Sequence, residues 1–148
     1  MAIEYSKLDP GKINQKNLES LNKLLQQLSP GKESIDANKL SWMLSKYNVV
    51  VHLAIDTETQ EIVGMGSLLH NKKLTAKFGT IEDVVVNEGH RGQGIGRKIT
   101  ENLIENGKQM GLKYIELTSR PHRTAANELY KKMGFIPKET NVYRMVLE

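Results

Sequence analysis

The stretch from Thr80 to Met110 constrains the chain most. Thr80-Ile81-Glu82-Asp83-Val84-Val85-Val86 is β-branched and largely apolar, which predicts a buried strand. From Ile95 onward the apolar residues Ile95, Ile99, Leu103 and Met110 fall close to one stripe of a helix, and Gly111 follows as a stop signal. Between strand and helix lie Gly92, Gly94 and Gly96, flanked by Arg91, Arg97 and Lys98. A glycine-rich turn feeding a helix start gathers free backbone N–H groups and the positive end of the helix dipole, so it suits an anion.

Two phosphate motifs compete for this turn. Gly89 and Gly94 have the spacing of a P-loop, but Ile95-Gly96 stand where Lys and Ser/Thr belong. A dinucleotide fingerprint needs G-x-G-x-x-G; here the spacing is Gly92-x-Gly94-x-Gly96, deep in the chain. Glu116 lies where it could mimic the ribose-binding acid of that fold, so the dinucleotide reading stays open.

Arg91-Gly92-Gln93-Gly94-Ile95-Gly96 resembles the R/Q-x-x-G-x-G/A motif of the GNAT family of N-acetyltransferases. The Ile81–Val86 run is similar to the glucosamine-phosphate branch, and the tail Glu139–Arg144 to small bacterial members. The resemblance implies an α/β fold: one domain over 1–148, with a mixed, twisted sheet of about six to seven strands and helices on both faces. It implies acetyl-CoA as cosubstrate and no metal. Cofactor contacts would come from Val84, Val85 and Val86, from Arg91, Gly92, Gln93, Gly94, Ile95, Gly96 and Arg97, and from Asn127. Tyr130 and Glu82 would be catalytic.

The rest of the sequence is compatible with this. The chain has 148 residues, enough for one domain with a core, and 39% hydrophobic with 26% charged residues is ordinary for a globular protein. With no cysteine there is no disulfide, thiolate metal site or cysteine nucleophile, and His52, His70, His90 and His122 show no metal spacing. No apolar run spans a bilayer and no signal peptide is visible, so a cytoplasmic protein is expected. Net charge is +4, with basic residues gathered at His90–Lys98 and Arg120–Lys132. Such a field suits a polyanionic small ligand. With two Phe and one Trp, platforms for nucleic acid are scarce.

Read in order, the sequence predicts an edge strand at Ile3–Lys7 and a helix carrying Leu18, Leu21, Leu25 and Leu28, stopped by Ser29-Pro30-Gly31. A second helix, capped by Ser34 or Asp36, carries Ala37, Leu40, Leu44 and Tyr47. A hairpin of Val49–Ile55 and Glu61–His70 follows, with Gly64 and Gly66 marking a close approach or a bulge. After the long helix, Lys113–Thr118 completes a parallel βαβ unit. A helix from Thr124 to Met133 and a last strand over Val142–Leu147 end the chain.

Asn127 and Tyr130, three apart on a helix, share a face. By resemblance, the Tyr130 hydroxyl meets the departing CoA sulfur and Asn127 fixes the CoA arm. Strict alternation puts Glu82 and Asp83 on opposite faces of their strand. A partly buried Glu82 carboxylate could take the ammonium proton through a water, while Asp83 could pair with an arginine. His90 is expected to be exposed. Ser119 lacks a local base, which argues for direct transfer without an acyl-enzyme. The expected acceptor is a small-molecule amine such as an amino-sugar phosphate, with no nucleic-acid or membrane partner and room for a homodimer. A protein amine as acceptor, or a non-catalytic CoA-binding module, are the alternatives.

Overall fold

A computed structural model describes residues 2–148 of the chain. Five strands and four α-helices follow in the order β1 (Ile3–Lys7), α1 (Gln15–Leu28), α2 (Ala37–Lys46), β2 (Val49–Asp56), β3 (Ile62–Lys73), β4 (Ala76–Val86), α3 (Ile95–Gln109), β5 (Tyr114–Glu116) and α4 (Thr124–Lys132). The chain forms two compact units that divide after Leu117. The first holds the whole sheet and α1–α3; the second, Thr118–Glu148, holds α4.

The sheet has the order β1-β2-β3-β4-β5. The first four strands are antiparallel neighbours, and β5 alone runs parallel, beside β4. The βαβ unit read from the sequence is therefore β4–α3–β5. The expected sixth or seventh strand is missing: among the described residues, Val142–Leu147 form no strand. Their side chains are exposed, Tyr143 at 87% and Leu147 at 89%, so the alternating apolar residues here are not packed. Strand propensity reports packing against neighbours more than a backbone preference, and without neighbours it does not act.

Helices cover both faces of the sheet. On one face Leu18, Leu21 and Leu24 of α1 and Leu40 of α2 bury against Val51, Leu53, Ile62, Met65 and Val85. On the other, α3 lays Ile95, Ile99 and Leu103 onto the sheet, each no more than 2% exposed. Burying each such side chain is worth about 1.5–3 kcal/mol. The helix comes this close because β3 has no side chains beneath it at Gly64 and Gly66. A Cβ at Gly66 would stand 2.8 Å from Ile99 Cγ2 and 3.2 Å from Leu103 Cδ1. The register shifts here as well, between Met65 and Ser67, so close approach and bulge occur together.

Caps set the helix ends. Asn14 and Asn17 form a reciprocal capping box at α1, and Asp36, rather than Ser34, caps α2 by accepting from Lys39 N–H at 2.7 Å. No helix among the described residues is long and apolar enough to cross a membrane.

Candidate active site

The site in the first unit is built on the C-terminal half of β4. Parallel pairing with β5 runs only over Phe78–Tyr114, Gly79–Ile115 and Thr80–Glu116. Beyond Thr80, the β5 side of β4 has no strand partner within this unit. Antiparallel alternation decides which groups face that edge. Asn87 N–H donates to the Val63 carbonyl at 2.8 Å, so the N–H and C=O of Val86, opposite Gly64, point away from β3. An extended ligand can therefore add to β4 as a short strand would.

A bulge aims Glu82. Between the pairs Met65–Val85 and Ser67–Glu82, β4 carries one residue more than β3, and Asp83 takes φ 55°. Under strict alternation Glu82 would share the face of Val84 and Val86. That face looks toward α3: Val86 Cγ2 lies 3.6 Å from where a Cβ on Gly96 would stand. The extra residue instead puts Glu82 on the face of Met65 and Val85, under α1 and α2. Sequence reading missed this, because one inserted residue leaves no periodic trace. A non-glycine residue at positive φ costs roughly 1–2 kcal/mol, and such strain gathers at functional positions.

Glu82 is exposed as a residue, but partial desolvation of its carboxyl, helped by the nearby Asp83 charge, raises its pKa above the ordinary carboxylate range. Asp83 enters none of the ion pairs among the described residues, so the expected arginine partner is not found.

Beyond β4, a 3-10 turn at Glu88–His90 leads into the glycine loop. Gly92 and Gly94 sit at φ 79° and 78°, the left-handed region that explains why glycine stands there. Gly94 is the N-cap of α3 and offers no side-chain cap bond. The first helical bond shown, Lys98 N–H to the Gly94 carbonyl, leaves the N–H groups of Ile95, Gly96 and Arg97 without helical acceptors. Nothing lies within 4 Å of a Cβ built on Gly92 or Gly94, so the loop faces open space. Arg91, Gln93 and Lys98 are exposed, and Arg97 pairs with Glu101 at 3.0 Å on the helix surface. Ile95 and Val85 point into the core, so only their backbone is available to a ligand.

His90 is not exposed as expected. Its Nε2 lies 3.6 Å from Asp56 Oδ2, with only 22% of the His90 side chain accessible. Asp56 is buried and also accepts from the N–H groups of Glu58 and Thr59. Those backbone bonds first, then His90, hold its pKa below the ordinary value. The end of the β2–β3 hairpin is thus tied to the turn that precedes the glycine loop.

In the second unit, Asn127 and Tyr130 lie on α4 as expected. Asn127 Nδ2 donates to the Arg120 carbonyl at 3.1 Å, holding the segment before its own helix. Tyr130 stacks edge-on against Phe135 at 5.8 Å between ring centroids. Ser119 Oγ is buried without a hydrogen-bond partner. No group of three or more His, Cys, Asp or Glu that could hold a metal occurs among the described residues.

A protein-family model described as the acetyltransferase (GNAT) family matches residues 18–135, across both units. Glucosamine 6-phosphate N-acetyltransferase 1 of Oryza sativa subsp. japonica is 28% identical over 126 residues, covering 80% of this chain and 74% of that protein. Its namesake from Dictyostelium discoideum is 31% identical over 113 residues, covering 74% and 71%. An acetyltransferase structure from Trypanosoma brucei superposes with a TM-score of 0.83 at 25% identity, covering 98% of this chain and all of that one.

Proposed function

For this chain, which belongs to the GNAT family of acetyltransferases and is an acetyl-CoA-dependent N-acetyltransferase, we propose an amino-sugar phosphate as acceptor and the site residues as follows. The observation that carries the site is the unpaired edge of β4 running into the uncapped start of α3. The acceptor class is supported by the rice and Dictyostelium relatives, both named for glucosamine 6-phosphate. The family match across both units supports reading 1–148 as one acyltransferase domain.

Acetyl-CoA enters with its pantetheine arm along Val84–Val86. Its pyrophosphate meets the loop from Arg91 through Gly92, Gln93, Gly94, Ile95 and Gly96 to Arg97, mostly through backbone N–H groups. Desolvated hydrogen bonds to a charged group are worth about 1.5–3 kcal/mol each. Asn127 holds the CoA arm.

The acceptor arrives as an ammonium ion and cannot attack until it loses a proton. Glu82, with its pKa raised, takes that proton through a water. The amine lone pair then forms a C–N bond with the thioester carbonyl carbon. The resulting oxyanion is met by a backbone N–H of the β4 edge. Collapse breaks the C–S bond; the Tyr130 hydroxyl protonates the departing thiolate, and the second proton lost by the former amine nitrogen passes through water to restore the Tyr130 hydroxyl. The products are an N-acetyl amide and CoA, with no acyl-enzyme between.

Acetyl-CoA consumption with glucosamine 6-phosphate, glucosamine and a lysine peptide tests the acceptor. Turnover should be greatest with the phosphorylated sugar. A preference for the peptide would overturn this acceptor in favour of a protein amine. Calorimetry with CoA and NAD tests the loop, and tighter NAD binding would favour the dinucleotide reading.

A further inference from the structure

Gln27 belongs to the last two turns of α1, and sequence reading assigned it nothing. Its side chain is half-buried and engages two backbone groups. Nε2 donates to the Val86 carbonyl at 2.8 Å, and Oε1 accepts from the Glu88 N–H at 3.4 Å. A carboxamide presents one donor face and one acceptor beside it, so it can close a pair of backbone groups as a neighbouring strand would.

The two groups it closes lie at a junction. Val86 is the last residue of β4, and its carbonyl points to the edge away from β3. Glu88 opens the 3-10 turn that leads into the glycine loop. That turn is also held by its own N-cap Asn87, whose Oδ1 accepts from Gly89 N–H at 3.0 Å, and by the His90–Asp56 pair. Gln27 is the hold from the α1 side. It also occupies the Val86 carbonyl, which leaves the Val86 N–H as the group of that residue open to a ligand.

Neighbouring amides on α1 do a different job. Asn22 bonds both the N–H and the carbonyl of Ile35, at 2.8 and 2.9 Å. Gln26 bonds the Lys32 carbonyl and the Gly31 N–H. Both pin the α1–α2 connection. Among these three amides, Gln27 alone reaches the cofactor strand.

We propose that Gln27 is a positioning residue for acetyl-CoA, a clasp that fixes the end of β4 and the start of the phosphate loop relative to α1. The inference rests on the CoA site proposed above. Without the clasp, a half-buried carbonyl and a nearby N–H lose their partners, and the segment shifts to regain them through water. Displacement on the order of 1 Å is enough to spoil aligned contacts.

CoA binding by calorimetry, with melting temperature in parallel, tests the clasp. Gln27→Met keeps the volume and removes both bonds; CoA affinity should fall roughly five- to twentyfold, the loss of about one to two hydrogen bonds. Gln26→Met is the control: it also loses two bonds from α1, so melting temperature should drop while CoA affinity stays within about twofold. Should Gln27→Met fold poorly, Gln27→Glu keeps an acceptor for Glu88 N–H and loses only the donor to Val86, and should weaken CoA binding as well. A folded Gln27 variant with wild-type affinity overturns the clasp. So does a Gln26→Met protein weakened as much as Gln27→Met, because general loosening of α1 would then explain both. Wild-type protein that binds no CoA overturns the site itself, an outcome distinct from wild-type binding with indistinguishable variants.

Discussion

Replacing Gly94 with alanine separates the loop's binding role from its structural one. At φ 78° a Cβ is strained by roughly 1–2 kcal/mol. Nothing lies within 4 Å of that Cβ, so no clash adds to the strain. The alanine also restricts the unfolded chain, which returns about 0.4–1 kcal/mol where it can. A net loss of about 1 kcal/mol corresponds to a melting-temperature drop of about 2–4 °C for a chain of this size. Binding should suffer more. On the CoA site proposed above, the added methyl projects into the space the pyrophosphate would occupy, and any relaxation of φ turns the loop amides away. Losing one charged hydrogen bond, about 1.5–3 kcal/mol, weakens CoA roughly 10- to 150-fold. Gly66→Ala is the mirror experiment. Its Cβ would stand 2.8 Å from Ile99 Cγ2 and 3.2 Å from Leu103 Cδ1, an overpacking cost of about 1–3 kcal/mol, so its melting temperature should fall further than that of Gly94→Ala and its CoA affinity should fall less. Differential scanning fluorimetry and calorimetry on both variants read the two effects. A folded Gly94→Ala protein that binds CoA like wild type would refute the reasoning.

Further predictions concern Glu82, Tyr130 and Asp56. Glu82→Gln should lower turnover about 10²–10⁴-fold and abolish the acidic limb of the wild-type pH–rate profile, which should lie above the ordinary carboxylate range; an unchanged limb would assign the base elsewhere. Because folding raises the pKa of Glu82, its stabilising contribution is full at low pH and lost as pH rises through the folded value. The same variant should therefore melt higher than wild type at pH 7 and lose that advantage near pH 4. Tyr130→Phe should cut turnover about 10²–10⁴-fold with little change in CoA affinity; equal turnover, where chemistry limits the rate, would leave thiolate protonation to solvent. Asp56 titrates below its ordinary value, so its contribution is present above about pH 4 and lost as pH falls through the folded pKa. Asp56→Asn should therefore be less stable than wild type at neutral pH, with a gap that closes in acid, read by thermal melts across pH.

Local chemistry made much of this protein legible in one dimension. Glycines at positive φ, a stripe at Ile95, Ile99 and Leu103 and a capping Asp36 act over a few residues, so the strand–loop–helix unit follows from the chain itself. The pairing of β4 with β5 also follows, because a parallel pair requires a crossover. What crosses the sheet was not legible. The bulge at Asp83 is defined by β3 as much as by β4, and it alone moves Glu82 from the α3 face to the face beneath α1 and α2. Gln27 reaches across 59 positions to Val86, and His90 meets Asp56 because two turns come together. Val142–Leu147 show the converse: an alternating apolar pattern is a disposition to pair, and it becomes a strand only where tertiary structure supplies an edge. Sequence periodicity determines which residues can share a face, whereas register, bulges and contacts between distant segments determine which face it is and what that face meets.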